Sequence, residues 1–102
     1  MLHIINGKLY NDKNQLIKST WFRTEDNVYY SDNTGNLVKD SWIFSNSNWY
    51  YMDKEGKMIV SSFITYKGNK YYLNEQGEAV LNKTIILDGQ KFTFDSRGVL
   101  IE

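Results

Sequence analysis

The sequence contains no cysteine, no proline and only one histidine. Without cysteine the chain can form neither a disulfide framework nor a thiolate metal site, so its stability must come from packing or from stacked repeats. Without proline, no strand loses a backbone N–H donor, and the seven glycines can serve turns that need positive φ. These features favour short repeated strands over a helical array.

The sequence also lacks an excess of charge of either sign and any long apolar run. Twelve Lys and Arg balance twelve Asp and Glu, so no long-range field attracts nucleic acid or an anionic membrane, and no nucleic-acid partner is expected. No apolar run approaches the roughly 18 residues of a spanning helix, which predicts no membrane insertion, and the N-terminus lacks a signal-peptide pattern. The length predicts a single domain over residues 1–102, expected to be a piece of a larger protein if the parent is secreted.

Residues that could perform catalysis are scarce. The one histidine, His3, lies near the N-terminus, and no nucleophile motif or Gly-rich phosphate loop occurs. Asp32, Asp53 and Asp95 recur where turns are expected to start, which favours Asx turns over acid–base or calcium chemistry. We therefore predict no enzymatic activity, no catalytic residue, no metal and no cofactor; any catalysis would belong to a neighbouring domain.

A 21-residue repeat runs through the chain. One column of residues at this spacing is glycine throughout, and another is aromatic throughout: Gly35, Gly56, Gly77 and Gly98, and Tyr29, Tyr50, Tyr71 and Phe92. A constant spacing of this kind indicates a repeat architecture. Five units cover the chain, approximately 1–19, 20–40, 41–61, 62–82 and 83–102, and the first unit is two residues shorter.

Each unit is predicted to be a β-hairpin followed by a tight turn. Asp88-Gly89 and Lys67-Gly68 lie between short apolar and aromatic runs, where they favour a two-residue hairpin turn. Turns at this phase predict three cross-strand aromatic pairs: Trp42–Tyr51, Phe44–Trp49 and Phe63–Tyr72. A single hairpin is marginal in water, so the units must stack, which predicts an all-β fold, a β-solenoid of about five stacked hairpins.

The repeat also separates the two faces of each strand. One column contains lysine twice and is therefore expected to face water: Val28, Trp49, Lys70 and Lys91. The aromatic column that starts at Tyr29 is expected to point inward, as is the column Phe22, Ile43, Ile64 and Ile85. The opposite face should then form an aromatic groove on the third and fourth units: Trp42, Phe44, Trp49, Tyr51, Phe63 and Tyr72.

Such a groove can stack on the C–H face of a sugar ring or enclose a quaternary ammonium by cation–π attraction. Stacked hairpins also bury part of their outer faces against the next unit. Filling these junctions is therefore an alternative role for any single ring.

The sequence of the third unit resembles a known repeat family. Trp42-Ile43, the run from Asn48 to Asp53 and Gly56-Lys57-Met58 resemble the cell-wall-binding, or choline-binding, repeat. The fourth and fifth units are more similar to the short C-terminal repeats of large clostridial toxins and of glucan-binding proteins. The resemblance implies hairpins that rotate into a left-handed spiral. It also implies ligand sites between adjacent hairpins, built from two tryptophans of one unit and a tyrosine of the next.

Carried over to this chain, that site is Trp42, Trp49 and Tyr72. Other junctions depart from the pattern, because Val28 or Lys70 stands where the second tryptophan belongs. The resemblance thus implies at most one intact choline site. The remaining aromatic candidates for ligand binding are Trp21, Tyr51 and Phe63.

The resemblance implies a non-catalytic module that attaches a larger protein to cell-wall polymer, through teichoic-acid choline or a surface polysaccharide. The expected location is secreted or on the surface of a Gram-positive-type bacterium. Two alternatives stay open: a toxin- or adhesin-type repeat domain that binds a host glycan or protein receptor, and a spacer. Terminal hairpins with bare strand edges would also allow a homodimer.

Overall fold

The computed structural model describes residues 2–102, which form ten strands and, within that range, no helix. The strands are β1 His3–Ile5, β2 Lys8–Tyr10, β3 Trp21–Arg23, β4 Val28–Tyr30, β5 Ser41–Ser45, β6 Asn48–Met52, β7 Ser62–Tyr66, β8 Asn69–Leu73, β9 Lys83–Leu87 and β10 Gln90–Phe94. They pair two by two in chain order to give five hairpins. The predicted all-β fold of five hairpins is confirmed. Over the same residues there is no helical stretch of the length and apolarity that crossing a bilayer requires.

The two-residue hairpin turns are confirmed. In the fourth hairpin Tyr66 pairs with Asn69, which leaves Lys67 and Gly68 as the turn with φ of 49° and 84°. Positive φ at both turn residues matches the right-handed twist of the flanking strands. The second hairpin differs, because four residues, 24–27, connect its strands. A 2.8 Å hydrogen bond from Thr24 N to Asn27 O closes this longer turn.

An Asx turn follows every hairpin, as the aspartate spacing predicted. Asp95 Oδ1 accepts hydrogen bonds from the backbone N of Arg97 and Val99, both at 2.9 Å. The same bonds, to the second and fourth residues onward, occur at four equivalent positions: Asn11, Asp32, Asp53 and Asn74. Among residues 2–102 no group of three or more His, Asp or Glu side chains could hold a metal ion.

The most buried column lies two residues beyond the aromatic column that was predicted to point inward. Its members are at most 1% exposed: Ser31, Met52, Leu73 and Phe94. Both columns share one face because side chains alternate along a strand. Each of these four residues is also bridged to the segment after its own turn, at Leu37, Met58, Ala79 and Leu100 respectively. The segment that follows each turn therefore covers the end of the preceding strand. The periodicity of the strands alone did not predict this contact.

The chain divides into two compact units. Unit 1 consists of Met1–Trp42 and Tyr51–Met58, and unit 2 of Ile43–Tyr50 and Ile59–Glu102. In unit 1, Leu37 N donates to Gly7 O and Met58 N donates to Val28 O, both at 2.8 Å. Each bond joins residues 30 apart, and the two bonds are one repeat length apart. Consecutive hairpins of unit 1 therefore stack in register.

Unit 2 repeats this arrangement. Ala79 N donates to Trp49 O at 2.9 Å, and Leu100 N donates to Lys70 O at 2.8 Å. These bonds again join residues 30 apart, so the tip of the third hairpin, the fourth hairpin and the fifth follow one another in register. The left-handed spiral, the single domain and the repeat boundaries assigned from the sequence stay predictions.

Candidate ligand-binding surface

Three hairpins carry a cross-strand aromatic pair at the same position. The ring centroids are 4.8 Å apart for Trp21 and Tyr30, 5.1 Å for Trp42 and Tyr51, and 4.9 Å for Phe63 and Tyr72. Directly opposed residues on one face of a hairpin are close enough for such contacts. The two pairs that were predicted at this position are confirmed. In the fifth hairpin the equivalent pair is Thr84 and Thr93, whose hydroxyl oxygens are 2.8 Å apart.

Tyr51 differs from the expectation of an exposed ring. It is only 8% exposed, and its hydroxyl donates a 2.6 Å hydrogen bond to Asp40 Oδ1. Asp40 is brought there by the 2.9 Å bond from its backbone N to Asp53 O at the end of the same hairpin. The placement of Tyr51 on an open outer face is therefore wrong. Its buried ring instead packs against the indole of Trp42.

The tip of the third hairpin exposes a second aromatic pair. Phe44 and Trp49 have ring centroids 5.0 Å apart and planes inclined by 51°. Their exposed fractions are 58% and 41%. The predicted pairing and the outward orientation of Trp49 are both confirmed, and these rings form the most accessible aromatic surface of the hairpin.

Trp49 is also held from the adjoining turn. Its carbonyl accepts the Ala79 N–H, and the neighbouring Asn48 donates from Nδ2 to Glu78 Oε2 at 3.2 Å. The other oxygen of Glu78 accepts from Asn74 Nδ2 at 3.2 Å. Sequence reasoning missed this support. The spacing of 30 between Asn48 and Glu78, the same as in the stacking bonds, is the signal that would have indicated it.

The ring of Phe63 packs partly against the fifth hairpin. It is 37% exposed, yet its ring lies 5.0 Å from Phe92 and 6.5 Å from Phe94 in the fifth hairpin. The alternative role considered for single rings therefore applies here. A ligand could reach only the outer part of this ring.

The remaining candidates are half-buried. Trp21 and Trp42 belong to unit 1, whereas Trp49 and Tyr72 belong to unit 2. The three-residue site of Trp42, Trp49 and Tyr72 stays a prediction. The structure supplies the exposure of Trp49 and the cross-strand partners of the other two rings.

Lysines take the place of Trp49 in the fourth and fifth hairpins. Lys70 and Lys91 are exposed and lie opposite Thr65 and Ile86. The prediction that this column faces water is confirmed for its three exposed members, Trp49, Lys70 and Lys91. Val28, the member in the second hairpin, is half-buried. A cation would be repelled by the lysine side chains at these two positions, where the third hairpin has Trp49 instead.

Displaced pKa values occur at turn aspartates. Hydrogen bonds from the Thr34 hydroxyl, and then from backbone N–H groups, lower the pKa of Asp32 below its ordinary value. Backbone bonds from Val99 and Arg97 do the same to the pKa of Asp95. Both shifts arise because hydrogen bonds donated to a carboxylate favour its charged form. They are consequences of the Asx turns.

Solved structures share this arrangement of hairpins. Choline binding protein F from Streptococcus pneumoniae matches 98% of the chain at 24% identity with a TM-score of 0.75, over 34% of its own chain. Truncated alternansucrase from Leuconostoc mesenteroides matches 99% at 21% identity with a TM-score of 0.81, over 10% of its chain. A choline binding domain from S. pneumoniae matches 80% at 26% identity with a TM-score of 0.69, over 93% of its chain.

The present chain thus spans about a third of choline binding protein F and 24% of the Cpl-1 endolysin. No curated protein matches it in sequence. The family description "cell wall binding repeat" matches three segments, residues 19–37, 40–58 and 61–79, which together make up more than half of the chain. The register of these segments follows the second, third and fourth hairpins, and the chain belongs to the cell wall binding repeat family.

Proposed function

We propose that this chain is a non-catalytic module that attaches a larger bacterial surface or secreted protein to cell-wall polymer. The ligand is a choline-type group or a glycan. The observation that carries the proposal is the exposed Trp49, paired with Phe44 on a hairpin of a cell wall binding repeat. The protein would act outside the cytoplasm, at the surface of a Gram-positive-type bacterium.

Trp42, Trp49 and Tyr72 are the proposed contacts for a quaternary ammonium or a sugar face. Trp21 and Phe63 would add weaker contacts, and the buried Tyr51 would support Trp42 from behind. A cation–π contact contributes roughly 0.5 to 2 kcal/mol, so two or three rings contribute at most about 6 kcal/mol, which corresponds to an affinity no tighter than tens of micromolar. Repetition of weak sites along a polymer raises the avidity.

The relatives support a cell-wall ligand. The Cpl-1 endolysin was solved in complex with a peptidoglycan analogue, and choline binding protein F in the presence of one. Both are larger proteins in which a domain of this fold occupies part of the chain.

Sedimentation with purified cell walls that carry choline teichoic acid tests the proposal. We expect the chain to sediment with the walls, Trp49→Ala to reduce the bound fraction at least fivefold, and free choline or soluble wall polysaccharide to compete. Lys91→Ala is the matched control, since Lys91 occupies the position of Trp49 in the fifth hairpin. Equal sedimentation of the wild type and Trp49→Ala would refute the role of the aromatic surface. Failure to bind walls, together with retention on host glycoprotein that choline does not reverse, would favour the toxin- or adhesin-type alternative.

A further inference from the structure

The turn of the first hairpin contains the one asparagine of the chain that precedes a glycine, Asn6-Gly7. Asn6 is exposed, and φ is 53° at Asn6 and 77° at Gly7. The side-chain amide of an asparagine can be attacked by the backbone N of the next residue, and a glycine there has no Cβ to obstruct the approach. This turn is therefore the place in the chain where such an attack is least hindered.

The first hairpin is also short. Its strands β1 and β2 have three residues each, whereas the strands of the third, fourth and fifth hairpins have five. In left-handed backbone ψ is about +30 to +60°, and closing a ring between Asn6 Cγ and Gly7 N needs a rotation out of that range. The reaction therefore requires the turn to open, and a hairpin with few cross-strand bonds opens more readily than a longer one.

A lysine of the second repeat lies beside this turn. A Cβ built on Gly7 would be 3.6 Å from Lys39 Nζ. Lys39 is exposed and belongs to neither of the ion pairs between described side chains. An ammonium in this position favours negative charge on Gly7 N when that nitrogen loses its proton, and it would pair with a carboxylate formed at residue 6.

We propose that Asn6 is a site of spontaneous deamidation, promoted by Lys39. Gly7 N gives its proton to hydroxide and attacks Asn6 Cγ, and the new C–N bond closes a cyclic imide. The C–N bond of the carboxamide breaks, and its nitrogen takes a proton from water and leaves as ammonia. One water molecule then opens the imide at either of its two carbonyl carbons. The product at residue 6 is aspartate, or isoaspartate in which the main chain runs through the former side chain.

The isoaspartate product disturbs the contact between the first two hairpins. Gly7 O accepts the Leu37 N–H at 2.8 Å, and this bond belongs to the stacking of unit 1. Isoaspartate places one extra carbon in the main chain next to Gly7, so the Gly7 carbonyl shifts relative to Leu37. Aspartate leaves the main chain unchanged and gains a pair with Lys39. This inference does not depend on the proposed function.

Incubation of the full chain at mildly alkaline pH tests the reaction, with peptide mass spectrometry and methylation by isoaspartyl methyltransferase as readouts. We expect Asn6 to convert faster than Asn46, which has the same place in the turn of the third hairpin but precedes Ser47 and joins five-residue strands. Lys39→Ala should slow the conversion about twofold to fivefold, the effect of an exposed charge interaction. Lys54→Ala is the matched control, because it removes an exposed lysine elsewhere, and it should convert at the wild-type rate.

Hydrogen exchange of the purified isoaspartate form tests the consequence. The Leu37 amide should lose protection, while the Ala79 amide, which makes the equivalent bond in unit 2, should keep it. Asn6→Asp reproduces the other product and should retain protection at Leu37. The proposal is overturned if Asn6 converts no faster than Asn46, if Lys39→Ala converts at the wild-type rate, or if the Leu37 amide stays protected in the isoaspartate form.

Discussion

In each repeat, a single side chain accepts hydrogen bonds from the backbone N of the second and fourth residues that follow it. Asp32 and Asp95 each accept two backbone N–H bonds across the turn that follows their hairpin. Asn11 and Asn74 make the same bonds with an amide oxygen. The turn therefore requires an acceptor at this position and does not require a charge.

The two aspartates make stability depend on pH. Hydrogen bonds from the Thr34 hydroxyl and from backbone N–H groups to Asp32, and from backbone N–H groups to Asp95, lower the pKa of the folded carboxyl groups below the ordinary value of 3.8. A group with a depressed folded pKa stabilises the fold above its unfolded pKa, and that contribution is lost as the pH falls through the folded value. We expect urea unfolding to show a stability loss below pH 3.8 that is smaller in Asp95→Asn. An unchanged acid dependence in this variant would show that the turn carboxylates are not responsible.

Tyr51 offers a separate prediction. Tyr51→Phe removes the hydroxyl bond to Asp40, which should lower the free energy of unfolding by about 1 kcal/mol, since Asp40 is exposed and its bond is partly screened. Tyr30→Phe is the matched control at the same position of the second hairpin, and it should be nearly neutral. Because the ring of Tyr51 is buried, ligand affinity should not change. A large affinity loss with unaltered stability would contradict the structural role of this hydroxyl.

At the scale of elements, glycines of similar φ have two different roles. Gly98 has a φ of 87°, and a Cβ there would lie 2.8 Å from Leu81 Cδ2 and 3.3 Å from Val80 O. Gly89, in a hairpin turn with a φ of 79°, has nothing within 4 Å of its would-be Cβ. Backbone conformation and close packing are thus both required at Gly98, but only conformation at Gly89.

Alanine substitution separates these two contributions. Gly89→Ala should lower the free energy of unfolding by about 1 kcal/mol, the cost of a left-handed conformation with a side chain. Gly98→Ala should cost about 2 to 3 kcal/mol, because the neighbouring backbone and Leu81 must also move. Thermal or urea unfolding of both variants measures the difference. Equal losses would mean that Leu81 gives way freely and that the close contact has no energetic importance.

The hairpins were predictable because their turns and cross-strand pairs follow from residues close in sequence. Lys67-Gly68 determined the register that places Phe63 opposite Tyr72. The exposure of Tyr51 was not predictable in the same way. The hydroxyl of Tyr51 donates to Asp40, which a backbone bond to Asp53 positions at the base of the hairpin, and the alternation of residues along the strand does not reveal such a contact.

At the scale of the whole molecule, the sequence indicated stacking but not what covers the core. Bonds between residues 30 apart recur in each compact unit, and periodicity predicted that hairpins would lie in register. Met52 and Leu73 are fully buried because the segment after each turn folds back over them. That contact joins the end of a strand to the segment after the turn, so the alternation of residues within the strand does not reveal it. The ligand site likewise depends on ring accessibility, which spacing alone cannot give.

The central proposal is that the exposed indole of Trp49, on a hairpin that stacks with its neighbours, binds a cell-wall ligand. Titration of the chain with choline and with wall polysaccharides, followed by tryptophan emission, tests it most directly. We expect saturable quenching in the millimolar to micromolar range with at least one ligand, and its loss in Trp49→Ala but not in Lys91→Ala. Emission that stays constant with every ligand, or saturation that survives the loss of Trp49, would contradict the claim.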